Sequence, residues 1–415
     1  MNKIRISISE FNKNVLTLMT GSSIAQAIPI AISPILTRIY TPDDFGILSL
    51  FVAITAILSV FVTGQYELAV MLPKNKKSSY NLIILAYLIT FFISVLVLIL
   101  IILFENQLLY ILGNEKLGIW LYFIPISIFL TGVYRTQTYW LTYKKKFKKL
   151  AVNNIIRGGT SAFSNISIGV YKLSSSGLIA SQLLAQCLAV LLLLKESFSK
   201  DDLSGISKIK MLAVARRYIN FPKIIMFQSL FATISNNFPV LIVNHYFSLK
   251  TTGFYSFANK IIALPISLVS KSLYPVFFQE FSVSKSRMPF FKKKFKQINL
   301  IFAPIFVVIW FILPYLFVLV FGNEWRISGV YAQILLPLIY FKFLSNLFSN
   351  TIYIFFEKQF ENFILSVLIS FLKISSLLVG IYYNNLELGL ILMVVTNIIV
   401  IVYKIHRSFQ FVKKY

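Results

Sequence analysis

The chain has 415 residues, 57% of them hydrophobic and only 13% charged. Soluble domains run at roughly 45–50% apolar and about 25% charged, and twelve membrane helices of about 20 residues each would use about 240 residues, so a water-soluble enzyme is excluded. A net charge of +26 would suit nucleic acid, but the basic residues sit in short loops between apolar runs, where Lys and Arg set topology and meet anionic headgroups.

Twelve apolar spans follow in chain order. The first six cover 14–38, 45–72, 80–104, 117–142, 152–171 and 175–194; the second six cover 220–246, 251–278, 298–321, 328–356, 361–383 and 387–405. Lys3, Arg5 and Lys13 before the first span, with Ala25-Gln26-Ala27 inside it, have the outline of a secretory leader. The apolar stretch runs on to Ile39, too long for a signal core, so it reads as an uncleaved helix. Tyr40-Thr41-Pro42-Asp43-Asp44-Phe45-Gly46 reads as a helix start. Thr41 suits an N-cap, Pro42 the first turn, and the two aspartates the positive end of the helix. Cys187, the single cysteine, lies in an apolar run, which rules out an intramolecular disulfide framework.

With the N-terminus in the cytoplasm, 29 of the 40 basic residues fall on that side. Only 5 fall outside (Arg38, Lys116, Lys172, Lys250 and Arg326), and 6 lie within spans. The positive-inside rule therefore puts both termini in the cytoplasm.

The chain also repeats itself. Tyr40 and Gly46-x-x-Ser49 open the second span, and Tyr246 and Gly253-x-x-Ser256 open the eighth. Thr138-x6-Lys145-x-Phe147 ends the fourth, and Thr351-x6-Lys358-x-Phe360 ends the tenth, with Pro125 and Pro337 ahead of them at nearly the same offset. The spacing predicts two parallel six-helix lobes, 1–200 and 201–415, a transporter architecture.

Metal and nucleotide chemistry find no residues to carry them. His245 and His406 are far apart, no Cys/His cluster could hold zinc, and no P-loop is present. Asp201-Asp202 lies in a charge-mixed loop and reads as solvated. The informative residues are the charges inside spans: Arg135, Arg157, Lys260, Lys271, Lys342 and Lys373, with Glu67 as the clearest acidic one. Six cations facing lipid would forfeit roughly 15–20 kcal/mol, and helical periodicity turns each onto a polar stripe. Asn153, Arg157, Thr160, Ser164 and Ser167 share one face, as do Ser256, Lys260, Ser267 and Lys271. Thr131, Arg135, Thr138 and Thr142 form another, and Lys342, Asn346, Ser349 and Tyr353 a fourth. Ser366, Ser370 and Lys373 follow in the eleventh span, and Ser22, Gln26, Ser33 and Thr37 share a face in the first. Such stripes either glue helices together or line a hydrated cavity, and Arg135, Arg157 and Lys271 are near enough to span ends to snorkel. Glu67 alone cannot neutralise the rest, so a cavity with surplus positive charge calls for an anionic cargo. The expected fold is thus an all-α polytopic membrane protein, with two pseudo-symmetric six-helix lobes around a central cationic cavity.

Arg38-Ile-Tyr40-Thr-Pro42-Asp-Asp-Phe45-Gly46 resembles the start of bacterial polysaccharide repeat-unit flippases of the Wzx type. Ala258-Asn259-Lys260 with Pro265, and Tyr274-Pro275-Val-Phe-Phe-Gln-Glu280-Phe, resemble the eighth helix of that family, and Tyr143-Lys-Lys-Lys-Phe147 is similar again. The family belongs to the multidrug/oligosaccharidyl-lipid/polysaccharide exporter (MOP) superfamily. The resemblance implies two lobes forming a V, in the inner membrane of a bacterium. It implies an undecaprenyl-pyrophosphate-linked oligosaccharide cargo carried to the outer leaflet by alternating access, for O-antigen or capsule assembly. No enzyme activity, cofactor or metal is expected. A proton or sodium gradient is the energy source implied, with Glu67 as candidate for ion coupling, and polysaccharide polymerase machinery a candidate partner. A multidrug exporter of the same superfamily is the alternative, and a membrane O-antigen polymerase or glycosyltransferase a more distant one.

Overall fold

The computed structural model describes residues 2–113, 117–171, 174–197, 206–284 and 286–414. The pair Asp201-Asp202 and the loop cations Lys116 and Lys172 lie outside the described residues, as do the side chains of Lys3, Arg5 and Lys13.

Each expected span contains a helix, and the second, 45–72, is helical only in part. The first six are α1 (Asn2–Ile39), α2 (Pro42–Leu58), α3 (Lys76–Leu112), α4 (Ile124–Tyr143), α5 (Phe147–Val170) and α6 (Ser174–Ser197). The second six are α7 (Met226–Tyr246), α8 (Leu249–Val283), α9 (Arg287–Phe321), α10 (Arg326–Leu344), α11 (Gln359–Tyr382) and α12 (Leu386–Lys414). No strand occurs among the described residues. Ten of these helical segments are long and apolar enough to cross a membrane; those with α2 and α5 fall short of that measure. α2 has only 17 residues because the chain breaks after Leu58, and α5 carries one of the polar stripes. By packing, the chain divides into two compact units, Met1–His245 and Tyr246–Tyr415.

In the first unit α1 lies along α5, and small residues let the two backbones touch. A Cβ added to Gly21 would come within 2.5 Å of the Ala151 Cβ, and one added to Gly158 within 2.9 Å of the Ala25 carbonyl oxygen. That carbonyl has lost its helical partner because Pro29, four residues on, has no N–H. Pro34 likewise frees the Ile30 carbonyl, and the Ser33 hydroxyl donates to it at 2.6 Å. Ser33, which the sequence places on a polar face, is therefore spent on its own helix, and Thr37 on the same face donates to the Pro34 carbonyl at 3.1 Å.

The turn into α2 is a capping box. The Asp44 carboxylate accepts from both the Thr41 backbone N–H and its hydroxyl at 2.9 Å, while the Asp44 N–H donates to Thr41 Oγ1. Tyr40, only 2% exposed, donates through its hydroxyl to the Asn165 carbonyl at 2.8 Å. Gly169 and Gly177 leave room for that hydroxyl. The segment is a structural corner, as its cap chemistry predicts.

In the second unit α9 and α10 pack closely at Gly329, where an added Cβ would lie 2.8 Å from the Pro314 Cα. Pro314 frees the Trp310 carbonyl, and Gln333 on α10 donates to it at 2.9 Å. A cluster of rings built on Phe277, Phe281, Phe291 and Phe348 joins α8 and α9 to the π-helical turn Ser345–Ser349 that extends α10.

The internal repeat is written in the backbone. Ser248 caps α8 by accepting from the Thr251 N–H at 3.1 Å, as Thr41 caps α2 in the first half. The two spans that share the Thr-x6-Lys-x-Phe pattern end alike. Lys145 (φ 57°) and Glu357 (φ 55°) are left-handed, and the next N–H of each returns to the chain at 2.8 Å, Lys146 to Leu141 and Lys358 to Tyr353. This is the Schellman closure, built twice on residues other than glycine.

Candidate functional site

The second span is discontinuous. Residues 59–65 form irregular turns, with Gly64 (φ 57°) and Gln65 (φ 59°) left-handed, before a 3-10 turn at Tyr66–Met71. Backbone broken at membrane depth must be satisfied by neighbours, and here it is. Arg135 on α4 donates from Nη1 to the Ser59 carbonyl at 3.0 Å. Gln65 donates from Nε2 to the Val60 carbonyl at 3.2 Å. Gly132, one turn before Arg135, brings α4 against the break: an added Cβ would meet Val62 at 2.5 Å and Thr90 at 2.7 Å.

Glu67 sits on the 3-10 turn, 2% exposed. It accepts a hydrogen bond from Thr63 and feels the charge of Arg135. Its Oε2 is buried without a hydrogen-bond partner among the described residues. The structure thus brings Glu67 and Arg135 to one place, yet the guanidinium is held by a helix end and not by the carboxylate. A buried carboxylate beside a cation that is committed elsewhere has room to gain or lose a charge partner. Discontinuous helices are where transporters bind substrates and coupling ions.

Arg157 on α5 stacks over the Tyr134 ring, 4.8 Å from its centroid. The Tyr134 hydroxyl donates to Asn154 Oδ1 at 2.7 Å, and Asn154 donates to the Ser22 hydroxyl at 3.3 Å. Ser22 and Arg157, both on expected stripes, are thus linked through Tyr134 and Asn154, two residues that the expected stripes on α4 and α5 leave out. Asn153, expected on the Arg157 face, instead donates to the Ala189 carbonyl of α6 at 2.9 Å, because position 153 also borders α6.

In the second unit Lys260 and Lys271 are exposed on α8, and Lys342 is half-buried on α10. Lys260 and Lys342 make no hydrogen bond or ion pair with any described residue. Lys373 on α11 is 9% exposed and near enough to Lys342 for like-charge repulsion. Carboxylates that do form ion pairs are used elsewhere: Glu196 with Lys146 and Lys149, Glu280 with Lys294 at 2.7 Å, and Glu361 with Arg407 at 2.8 Å. No group of three or more metal-ligating side chains occurs among the described residues.

One buried cation escapes a reading by loops. Lys404, counted with the C-terminal tail, is 6% exposed, donates to Asn350 Oδ1 at 2.9 Å and lies 5.8 Å from the Tyr353 ring centroid. The stripe Asn397, Lys404 and Ser408, all buried on one face of α12, is the signal that finds it.

Solved structures share this fold. An inward-facing multidrug resistance MATE family transporter of the MOP superfamily superposes with a TM-score of 0.62 at 14% identity, over 96% of this chain and 95% of that one. Lipid II flippase MurJ in an inward closed conformation gives a TM-score of 0.62 at 15% identity, over 98% of this chain and 89% of that one. A MOP superfamily transporter from Pyrococcus furiosus, noted for the reverse polarity of its binding pocket, gives 0.59 at 13% identity, over 97% of each chain. No curated protein matches the chain by sequence. At these identities the likeness is one of fold, the twelve-helix, two-lobe architecture of the MOP superfamily. The family model described as "Polysaccharide biosynthesis protein" matches residues 35–329, from the end of α1 into α10. The chain is thus a multi-pass membrane protein that belongs to the polysaccharide biosynthesis protein family, in agreement with its resemblance to Wzx-type flippases.

Proposed function

We propose that this protein moves undecaprenyl-pyrophosphate-linked oligosaccharide repeat units from the cytoplasmic to the outer leaflet of a bacterial inner membrane, for O-antigen or capsule assembly. Its lobes, 1–200 and 201–415, rock about a central cavity by alternating access, and both termini face the cytoplasm. Arg135, Arg157, Lys260, Lys271, Lys342 and Lys373 receive the pyrophosphate through charge-assisted hydrogen bonds, while the lipid tail stays in the bilayer. A proton or sodium gradient drives the cycle through Glu67, and the exported unit passes to polymerase machinery. The protein supplies no catalysis and holds no cofactor.

The observation that carries this reading is that two intramembrane cations, Lys260 and Lys342, make no hydrogen bond or ion pair with any described residue. A multidrug exporter of organic cations, the alternative reading, would need the opposite balance. The test replaces Lys260 and Lys342 with alanine and measures surface polysaccharide together with protein abundance. Export is expected to fall while abundance stays near wild type. Full export with both replaced refutes the cationic site, and export that falls only in step with abundance assigns these residues to helix packing.

A further inference from the structure

In the second unit a groove of about 980 Å³ runs between α9 and α10. Its wall is apolar, from Phe311 through Tyr315 to Leu319 on α9 and Val330 on α10, and its polar lining consists of Asn323, Arg326 and Gln333. The groove is a product of the helix pairing. Pro314 bends α9, Gln333 fixes the freed Trp310 carbonyl, and Gly329 draws α10 onto the bend. Arg326 stands at one end, exposed, with no hydrogen bond, ion pair or ring contact to any described residue.

Charge and length together select an occupant. Arg326 is one of only 5 basic residues on the outer side by the positive-inside count, so the topology rule does not account for it. From Phe311 to Leu319 the helix rises by about 12 Å. That is close to one leaflet of a hydrocarbon core about 30 Å thick. A cation at the interface with an apolar channel one leaflet deep fits a lipid of ordinary chain length with a negative headgroup. A polyprenyl chain several times longer would overrun it.

We propose that this groove binds one anionic phospholipid of the outer leaflet, its headgroup on Arg326 and one acyl chain along α9. The site is separate from the cargo site; its assignment to the outer leaflet rests on the orientation proposed above, with both termini in the cytoplasm. The bound lipid wedges the α9–α10 pair at its outer end and so stabilises the folded protein.

The experiment melts the purified full-length protein in detergent during titration with phosphatidylglycerol or with phosphatidylcholine. Phosphatidylglycerol is expected to raise the melting temperature by about 3–5 °C near saturation, and phosphatidylcholine by less than about 1 °C. Arg326→Gln, which breaks no contact within the protein, is expected to melt like wild type without lipid and to lose the phosphatidylglycerol shift. Val330→Trp, which fills the groove and leaves the charge, is expected to lose it as well. Lys250→Gln, which removes another outer cation, is expected to keep it. Equal shifts with both lipids, or a full phosphatidylglycerol shift in Arg326→Gln, overturn the proposal. So does an equal loss in Lys250→Gln, which would mean diffuse charge attraction.

Discussion

Arg135→Gln tests the break in the second span. The substitution removes the bond from Arg135 Nη1 to the Ser59 carbonyl and leaves that carbonyl buried at a helix end. A hydrogen bond involving a charged group contributes about 1.5–3 kcal/mol. Arg135 also attracts Glu67 without forming an ion pair, and at an effective dielectric of 20 a charge pair gains about 4 kcal/mol at 4 Å and less beyond it, so roughly 2 kcal/mol is assigned to this attraction. The single substitution should therefore cost about 4 kcal/mol, and the same change made on a Glu67→Gln background only about 2 kcal/mol. For a unit of this size each kcal/mol moves the melting temperature by roughly 2–4 °C. The expected losses are then about 10 °C in the first case and about 5 °C in the second, measured by tryptophan fluorescence on purified protein. The two losses form a double-mutant cycle, and contacting groups couple by about 0.5–3 kcal/mol. Equal losses in both backgrounds would refute the electrostatic link between Arg135 and Glu67, and no loss in either would refute the role of Arg135 as the cap of a broken helix.

Glu67→Gln alone should keep the fold and cargo affinity but weaken the response of transport to an imposed proton or sodium gradient in vesicles; unchanged gradient dependence with lower thermal stability would make Glu67 a structural partner only. Cys187 is the sole cysteine, so its replacement gives a background for single-site labelling. Cysteines at Lys76, Lys146, Ser207 and Lys294 should react from the cytoplasm, and one at Asn385 from outside; outer labelling at Lys146 or Lys294 contradicts the topology. Gly158→Leu should separate α1 from α5, because even a Cβ lies 2.9 Å from the Ala25 carbonyl oxygen, and the yield of monodisperse protein on size exclusion should fall severalfold. Thr41→Ala should cost about 1 kcal/mol by loss of the capping box, read as a melting shift of a few degrees.

Local chemistry was the legible part of this molecule. Thr41, Pro42 and Asp44 cap α2 as their types require, and the apolar runs become helices. The repeat seen in Thr138, Lys145 and Phe147 returns as matched Schellman closures, one residue out of the expected register at Glu357. Longer-range choices were not legible. The stretch 45–72 reads as one apolar span because Gly64 alone hints at a break, and the break exists only because Arg135 and Gln65 satisfy it from outside the helix. Asn153 belongs to two helical faces at once, and periodicity cannot say which neighbour claims it. Lys404 was hidden by its place in the sequence: a cation near the end of the chain reads as a tail residue until Asn350 is seen to hold it.

The carbonyl freed by Pro314 has a mechanical consequence. A proline bend whose loose carbonyl is left to water can flex as a hinge, but Trp310 is tethered to Gln333 on a different helix. Torque applied to α9 above the bend is therefore transmitted to α10, and the pair turns as one lever. In the first unit the Ser33 hydroxyl ties the Ile30 carbonyl within α1 itself, so that bend stiffens its own helix and transmits nothing to a neighbour. The two prolines look alike in the sequence, yet one makes a coupled lever and the other a rigid elbow.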